Sequence, residues 1–115
     1  MALYFENLIV WQKSFLLAKK IHMALKGFPK EELYALTDQI RRSSTSIASN
    51  IAEWSGRGTN NEKNHFYHIA KWSAMELQTQ VLLAGEFWYI EESFRNECTS
   101  LIEEIVRMLY AMTQK

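Results

Sequence analysis

Apolar residues recur every three or four positions over long stretches of this chain, which is the period of an α-helix and not of a strand. The clearest case is the run from Leu36 to Arg57, LTDQIRRSSTSIASNIAEWSGR. Leu33, Leu36, Ile40, Ile47, Ile51 and Trp54 fall on one stripe. Beside it runs a second stripe, Gln39, Ser43, Ser46, Asn50 and Glu53, at spacings of 4, 3, 4 and 3. A solvated face carries long charged side chains, so a line of short hydrogen-bonding ones predicts close contact with another helix. That contact is either a recognition seam or a tight crossing in which Ser and Asn satisfy one another.

The pattern predicts four helices, over residues 8–26, 30–54, 60–87 and 91–112. Asn7 caps the first and Gly27 ends it, with Leu8, Trp11, Phe15, Ala18 and Leu25 toward the core. Val10, Leu17 and Ile21 lie on one flank of this helix, and Ile9, Leu16 and Met23 on the other. The second helix starts after Phe28 and Pro29, with Glu31 and Glu32 in its first turn. Thr59 and Glu62 form a capping box for the third, which turns Phe66, Ile69, Ala70, Ser73, Leu77, Gln80 and Ala84 inward. The fourth is amphipathic through Phe94, Cys98, Leu101, Ile105, Leu109 and Met112. Short connections make neighbours antiparallel, so the expected fold is an all-α, up-down-up-down four-helix bundle in a single domain.

The first and third helices have more apolar surface than such a bundle can cover. Leu16, Leu17 and Ile21 on the first, and Trp72, Met75 and Leu82 on the third, are the expected interface of a homo-oligomer. Composition agrees with a folded helical domain. One proline and four glycines in 115 residues leave little for a turn-rich β fold, and 48% hydrophobic residues are too many for a disordered chain. The single Cys98 excludes an internal disulfide and fits a reducing cytoplasm. The amino terminus lacks the pattern of a signal peptide, and Lys13, Lys19 and Lys20 interrupt its apolar run before membrane-spanning length. The expected location is therefore cytoplasmic, without membrane contact.

Formal charge is zero but unevenly placed. Residues 1–30 hold five lysines against Glu6, and residues 91–115 hold five glutamates against Arg95, Arg107 and Lys115. The basic first helix can meet phosphate, or it can lie beside the acidic last helix. Candidate nucleic-acid contacts are Lys13, Lys20, Arg41, Arg42 and Arg57. Catalytic signals are poor. Glu62 and His65 match half of a di-metal Glu-x-x-His pattern, and His68 lies near, but no second copy exists. Ser44 and Ser46 sit within a helix without a nucleophile elbow, and no glycine-rich loop follows a strand. The expectation is no enzyme, no cofactor, no metal and no small-molecule substrate.

Several ordered pieces carry a resemblance: Phe5, Leu8, Val10 and Trp11; Phe28-Pro29 with Glu31 or Glu32; Leu36-Thr37 with Gln39, Ile40, Arg41 and Arg42. Further on stand Ser46-Ile47, Asn50-Ile51-Ala52-Glu53, Arg57, and Ile69-Ala70 with Ser73, Glu76 and Leu77. Over nearly its whole length the chain resembles the four-helix-bundle family first noticed in intervening sequences of bacterial large-subunit ribosomal RNA genes. The family pattern has glycine where Trp54 stands and a small residue where Trp72 stands. The resemblance implies a homo-oligomer, typically a ring-like pentamer, of unassigned biochemical role. A related branch, the accessory proteins of diversity-generating retroelements, is basic and associates with nucleic acid, whereas this chain is neutral. The leading expectation is a non-enzymatic homo-oligomer that binds RNA or a ribonucleoprotein; the alternative is a protein-binding scaffold using Trp72, Met75 and Leu82 without nucleic acid.

Overall fold

A computed structural model describes residues 3–113, and within them the chain is entirely helical. The four long helices are α1 (Ile9–Ala24), α2 (Leu36–Gly56), α3 (Asn60–Glu86) and α4 (Glu92–Thr113), with short 3-10 turns at Tyr4–Asn7, Leu25–Gly27 and Lys30–Glu32. At about 1.5 Å per residue α3 runs ~40 Å, which matches the 43 Å long axis of the molecule. Each helix packs on two others, in the order α1, α2, α3, α4 and back to α1. The arrangement is a four-helix bundle in which the α1–α2 edge lies opposite the α3–α4 edge.

The core is one cluster. Ile40, Ile47 and Ile51 of α2 meet Ala70, Ala74 and Leu77 of α3, with Leu17 and Ile21 of α1 and Ile102 and Ile105 of α4 closing it. The alanines let α2 and α3 approach closely, and this pair has the most extensive contact in the fold. Half of the predicted capping box forms: Glu62 N–H donates to Thr59 Oγ1 at 3.2 Å, while the Glu62 carboxylate accepts from the Thr59 hydroxyl at 3.1 Å and not from its backbone N–H.

Two expectations are corrected. The fully buried face of α1 is Val10, Ser14, Leu17 and Ile21; of the expected Leu8, Trp11, Phe15, Ala18 and Leu25, only Leu8, Trp11 and Leu25 pack against the core, each partly buried, and Phe15 is exposed. Ser14 is fully buried and donates its hydroxyl to Val10 O at 2.8 Å, so a polar letter sits in the middle of the true apolar stripe and disguises it. Leu17 and Ile21 are therefore core, with Leu17 1% exposed, and cannot serve as an outward interface; Leu16, 44% exposed, faces solvent.

The second correction concerns the start of α2. The helix begins at Leu36, not at residue 30, because Ala35 breaks the helical backbone at φ −124°, ψ −107°. Residues upstream are tied elsewhere: Phe28 packs on the Tyr89 ring at 5.3 Å and Tyr89 OH donates to Glu32 at 2.9 Å. That carboxylate pushes the Tyr89 hydroxyl above its ordinary pKa. Leu33 is left exposed beyond the break.

Candidate interaction surfaces

The short polar residues of α2 face α3. Ser43 is buried and donates to Gln80 Oε1 at 2.7 Å. One turn on, the Ser73 hydroxyl donates to Ser46 Oγ at 2.8 Å, and Asn50 Nδ2 donates back to Ser46 at 3.0 Å to its hydroxyl and 2.8 Å to its carbonyl. The ends of the stripe differ: Gln39 and Glu53 are exposed, and Glu53 pairs with Arg57. Three members of the stripe are thus internal bonds of the α2–α3 crossing, so they present little to an outside partner.

The five candidate cations stand apart, each against a carboxylate. Lys13 reaches Glu104 of α4 at 2.9 Å, and Lys20 reaches Glu97. Arg41 and Arg42 both bind Asp38, Arg42 at 2.9 Å. The hydrogen bond from Arg41, joined by that from Arg42, holds the Asp38 carboxyl below its ordinary range. Arg57 lies between Glu53 and Glu62 and over the Phe66 ring, 4.7 Å from its centre. A neutralised cation attracts phosphate less, because binding must displace a carboxylate already in place.

Apolar surface is concentrated in two places. On α3, Trp72 (62% exposed), Met75 (57%) and Leu82 stand outward as a ridge, and His68 stacks on Trp72 at 5.6 Å. Beside the ridge runs a groove of about 510 Å³ floored by Ala74, Ile102 and Val106. On the opposite edge, between α1 and α2, lies a cleft of about 550 Å³. Its wall is the aromatic row Phe5, Trp11 and Phe15, whose successive ring centres lie 5.1 and 5.0 Å apart. Its floor is Ala48, Ser49 and Ala52.

The cleft does not follow from the apolar stripe of α1, because Trp11 and Phe15 read there as core. The signal that finds it is the run of small side chains at Thr45, Ala48, Ser49 and Ala52, one face of α2 that no bulky residue fills.

Other chemistry is sparse. Among the described residues no three His, Cys, Asp or Glu side chains stand together as metal ligands, and His65 packs instead on Phe66. Cys98 is buried. Ser44 is buried and donates to Arg41 O at 3.1 Å, so its hydroxyl is occupied. No described helix is long and apolar enough to cross a membrane.

With this geometry in view, the comparisons place the chain. The family described as 23S rRNA-intervening sequence protein matches residues 6–111. The chain belongs to that family. Among solved structures, a protein of unknown function from the S23 ribosomal protein family of Bacteroides thetaiotaomicron VPI-5482 is similar to it. The two share 25% identity and superpose with a TM-score of 0.85 over 93% of this chain and 96% of the other. The comparison with curated proteins gives no match. Membership in the 23S rRNA-intervening sequence family thus rests on the whole bundle, from the first 3-10 turn into the last helix.

Proposed function

We propose that this chain acts by association and not by catalysis: copies of it assemble through their apolar helix faces, and the assembly is the working unit. The observation that carries this reading is the α3 ridge of Trp72, Met75 and Leu82, three large side chains held outward on a rigid helix without any covering element. A contiguous apolar face of this kind on a water-soluble surface calls for a partner. Light scattering coupled to gel filtration tests it: the expected mass is a whole multiple of the subunit at micromolar concentration. A monomer at every concentration up to the millimolar range overturns the reading.

A contact with RNA or a ribonucleoprotein has less support than a protein partner. Lys13, Lys20, Arg41, Arg42 and Arg57 do not converge on one face, and each is engaged by a carboxylate. Filter binding of a structured RNA across a salt series separates the two. Weak binding with a shallow salt slope is expected; tight binding that falls steeply with salt and is lost when these residues become Ala establishes a phosphate interface.

A further inference from the structure

We infer that the end of the bundle where α1 connects to α2 and α3 to α4 is a docking surface for an arginine-bearing segment of another protein. It is a different face from the α3 ridge, and it does not rest on self-association. Two aromatic connections meet at this end. The Phe28 and Phe87 rings pack on Tyr89 with centres 5.3 and 5.6 Å from it, and the Tyr89 hydroxyl donates to Glu32 at 2.9 Å. That row ties together the two connections, one carrying Leu33 and Tyr34 and the other Trp88. Tyr34 is 92% exposed and Trp88 91%, the highest values of any large apolar side chain among the described residues. Trp88 also stands in left-handed backbone, at φ 63°, which costs free energy in a residue with a Cβ. Its indole recovers nothing by burial within the subunit, so only a contact outside the chain offsets that cost. Trp and Tyr are the side chains on which interfaces concentrate their binding energy.

Charge selects the partner. Residues 25–35 and 86–92 hold five glutamates, Glu31, Glu32, Glu86, Glu91 and Glu92, against Lys26 and Lys30. In the turns just below, Arg95 is held by Glu92, and Arg41 and Arg42 by Asp38. Glu31, Glu86 and Glu91 have no cationic partner among the described residues, and Lys26 and Lys30 no acidic one. With all of these counted, six acids face five bases, so the end keeps a small negative excess. A guanidinium suits such a surface: it stacks flat on an indole or phenol while its N–H fork meets a carboxylate. Phosphate groups of a nucleic acid or an anionic bilayer meet the unpaired carboxylates as like charges.

Anisotropy titration of a labelled synthetic peptide of alternating Arg and Gly tests the inference. The unaltered protein is expected to bind it, and Trp88→Gly to bind it about tenfold more weakly. Glycine suits the backbone at this position, so Trp88→Gly keeps the fold, which circular dichroism checks. Glu31→Gln combined with Glu91→Gln is expected to weaken binding and to flatten its salt dependence. An alternating Asp and Gly peptide and phosphatidylglycerol vesicles are expected not to bind. An Arg peptide that stays unbound up to about 1 mM, or that binds Trp88→Gly as well as the unaltered chain, overturns the inference. Vesicle binding that is lost in Trp88→Gly also overturns it and makes this end a membrane contact. A lower light-scattering mass for Trp88→Gly than for the unaltered chain overturns it too, since the end then joins copies of the chain.

Discussion

Four residues show most directly how local physics sets local behaviour. Ser43 and Gln80 are buried on facing helices, and Gln80 Oε1 accepts from the Ser43 hydroxyl, so removing Ser43 leaves that amide oxygen without its partner. Ser43→Ala is expected to lower the unfolding free energy by about 1–3 kcal/mol, and a second change of Gln80→Met to recover much of that loss, read in urea titrations. Trp88 is the only described non-glycine residue with positive φ, at 63°, where the chain leaves α3 with Tyr89 N–H bonded back to Ala84 O at 2.9 Å. Glycine is the residue that adopts this helix-end conformation without steric cost, and the indole is 91% exposed, so little packing is at stake. Trp88→Gly is expected to raise stability by up to about 1 kcal/mol, seen as a higher denaturant midpoint. Cys98 is held among apolar neighbours, and burial, with Glu97 near, pushes its thiol from 9.0 to about 12. A pKa raised on folding adds stability that is complete below 9.0 and is lost as pH rises toward 12. Native Cys98 is accordingly expected to react with iodoacetamide on the order of 100-fold more slowly than in denaturant; fast native labelling contradicts the burial.

The helices differ in how openly their sequences declare them. α2 and α4 have clean apolar stripes, and the buried residues Ile40, Ile47, Ile51, Cys98, Ile105 and Leu109 are those the period selects. α1 was legible as a helix but not in its rotation, because an internally bonded Ser14 occupies the inward stripe while Trp11 and Phe15 occupy the next. Periodicity weighs residues by type, and it cannot see that a serine is satisfied by the carbonyl a turn before it. The same blindness hid the cleft, since its aromatic wall reads as core until the small floor of α2 is placed beneath it. Neighbouring leucines on α1 test the rotation. Leu17→Ala is expected to cost about 2–5 kcal/mol of stability, as large-to-small changes in a packed core do. Leu16→Ala is expected to change it by at most about 0.5 kcal/mol. Equal effects at the two positions would mean that the helix is turned differently.

At the scale of the whole molecule the uneven charge of the sequence has a use inside the subunit. Inside, Lys13 and Lys20 of α1 lie against Glu104 and Glu97 of α4, so the basic beginning and the acidic end of the chain complement each other along one edge. These pairs are a third to a half exposed, and water and salt screen them. Such pairs contribute roughly 0–1 kcal/mol each, far less than one buried leucine. The bundle is therefore held by its core, and the ion pairs favour the observed helix order without determining whether the chain folds. Reversing both members of one pair, Lys20→Glu with Glu97→Lys, is expected to leave stability within about 1 kcal/mol of the unaltered protein. The single reversal Lys20→Glu is expected to cost more than the double, because it sets two carboxylates side by side. Measured again in 1 M salt, where the screening length is ~3 Å, the difference between single and double should shrink while the core contribution remains. A difference that persists at high salt would instead mean that the Lys20 stem packs against α4 and acts through apolar contact.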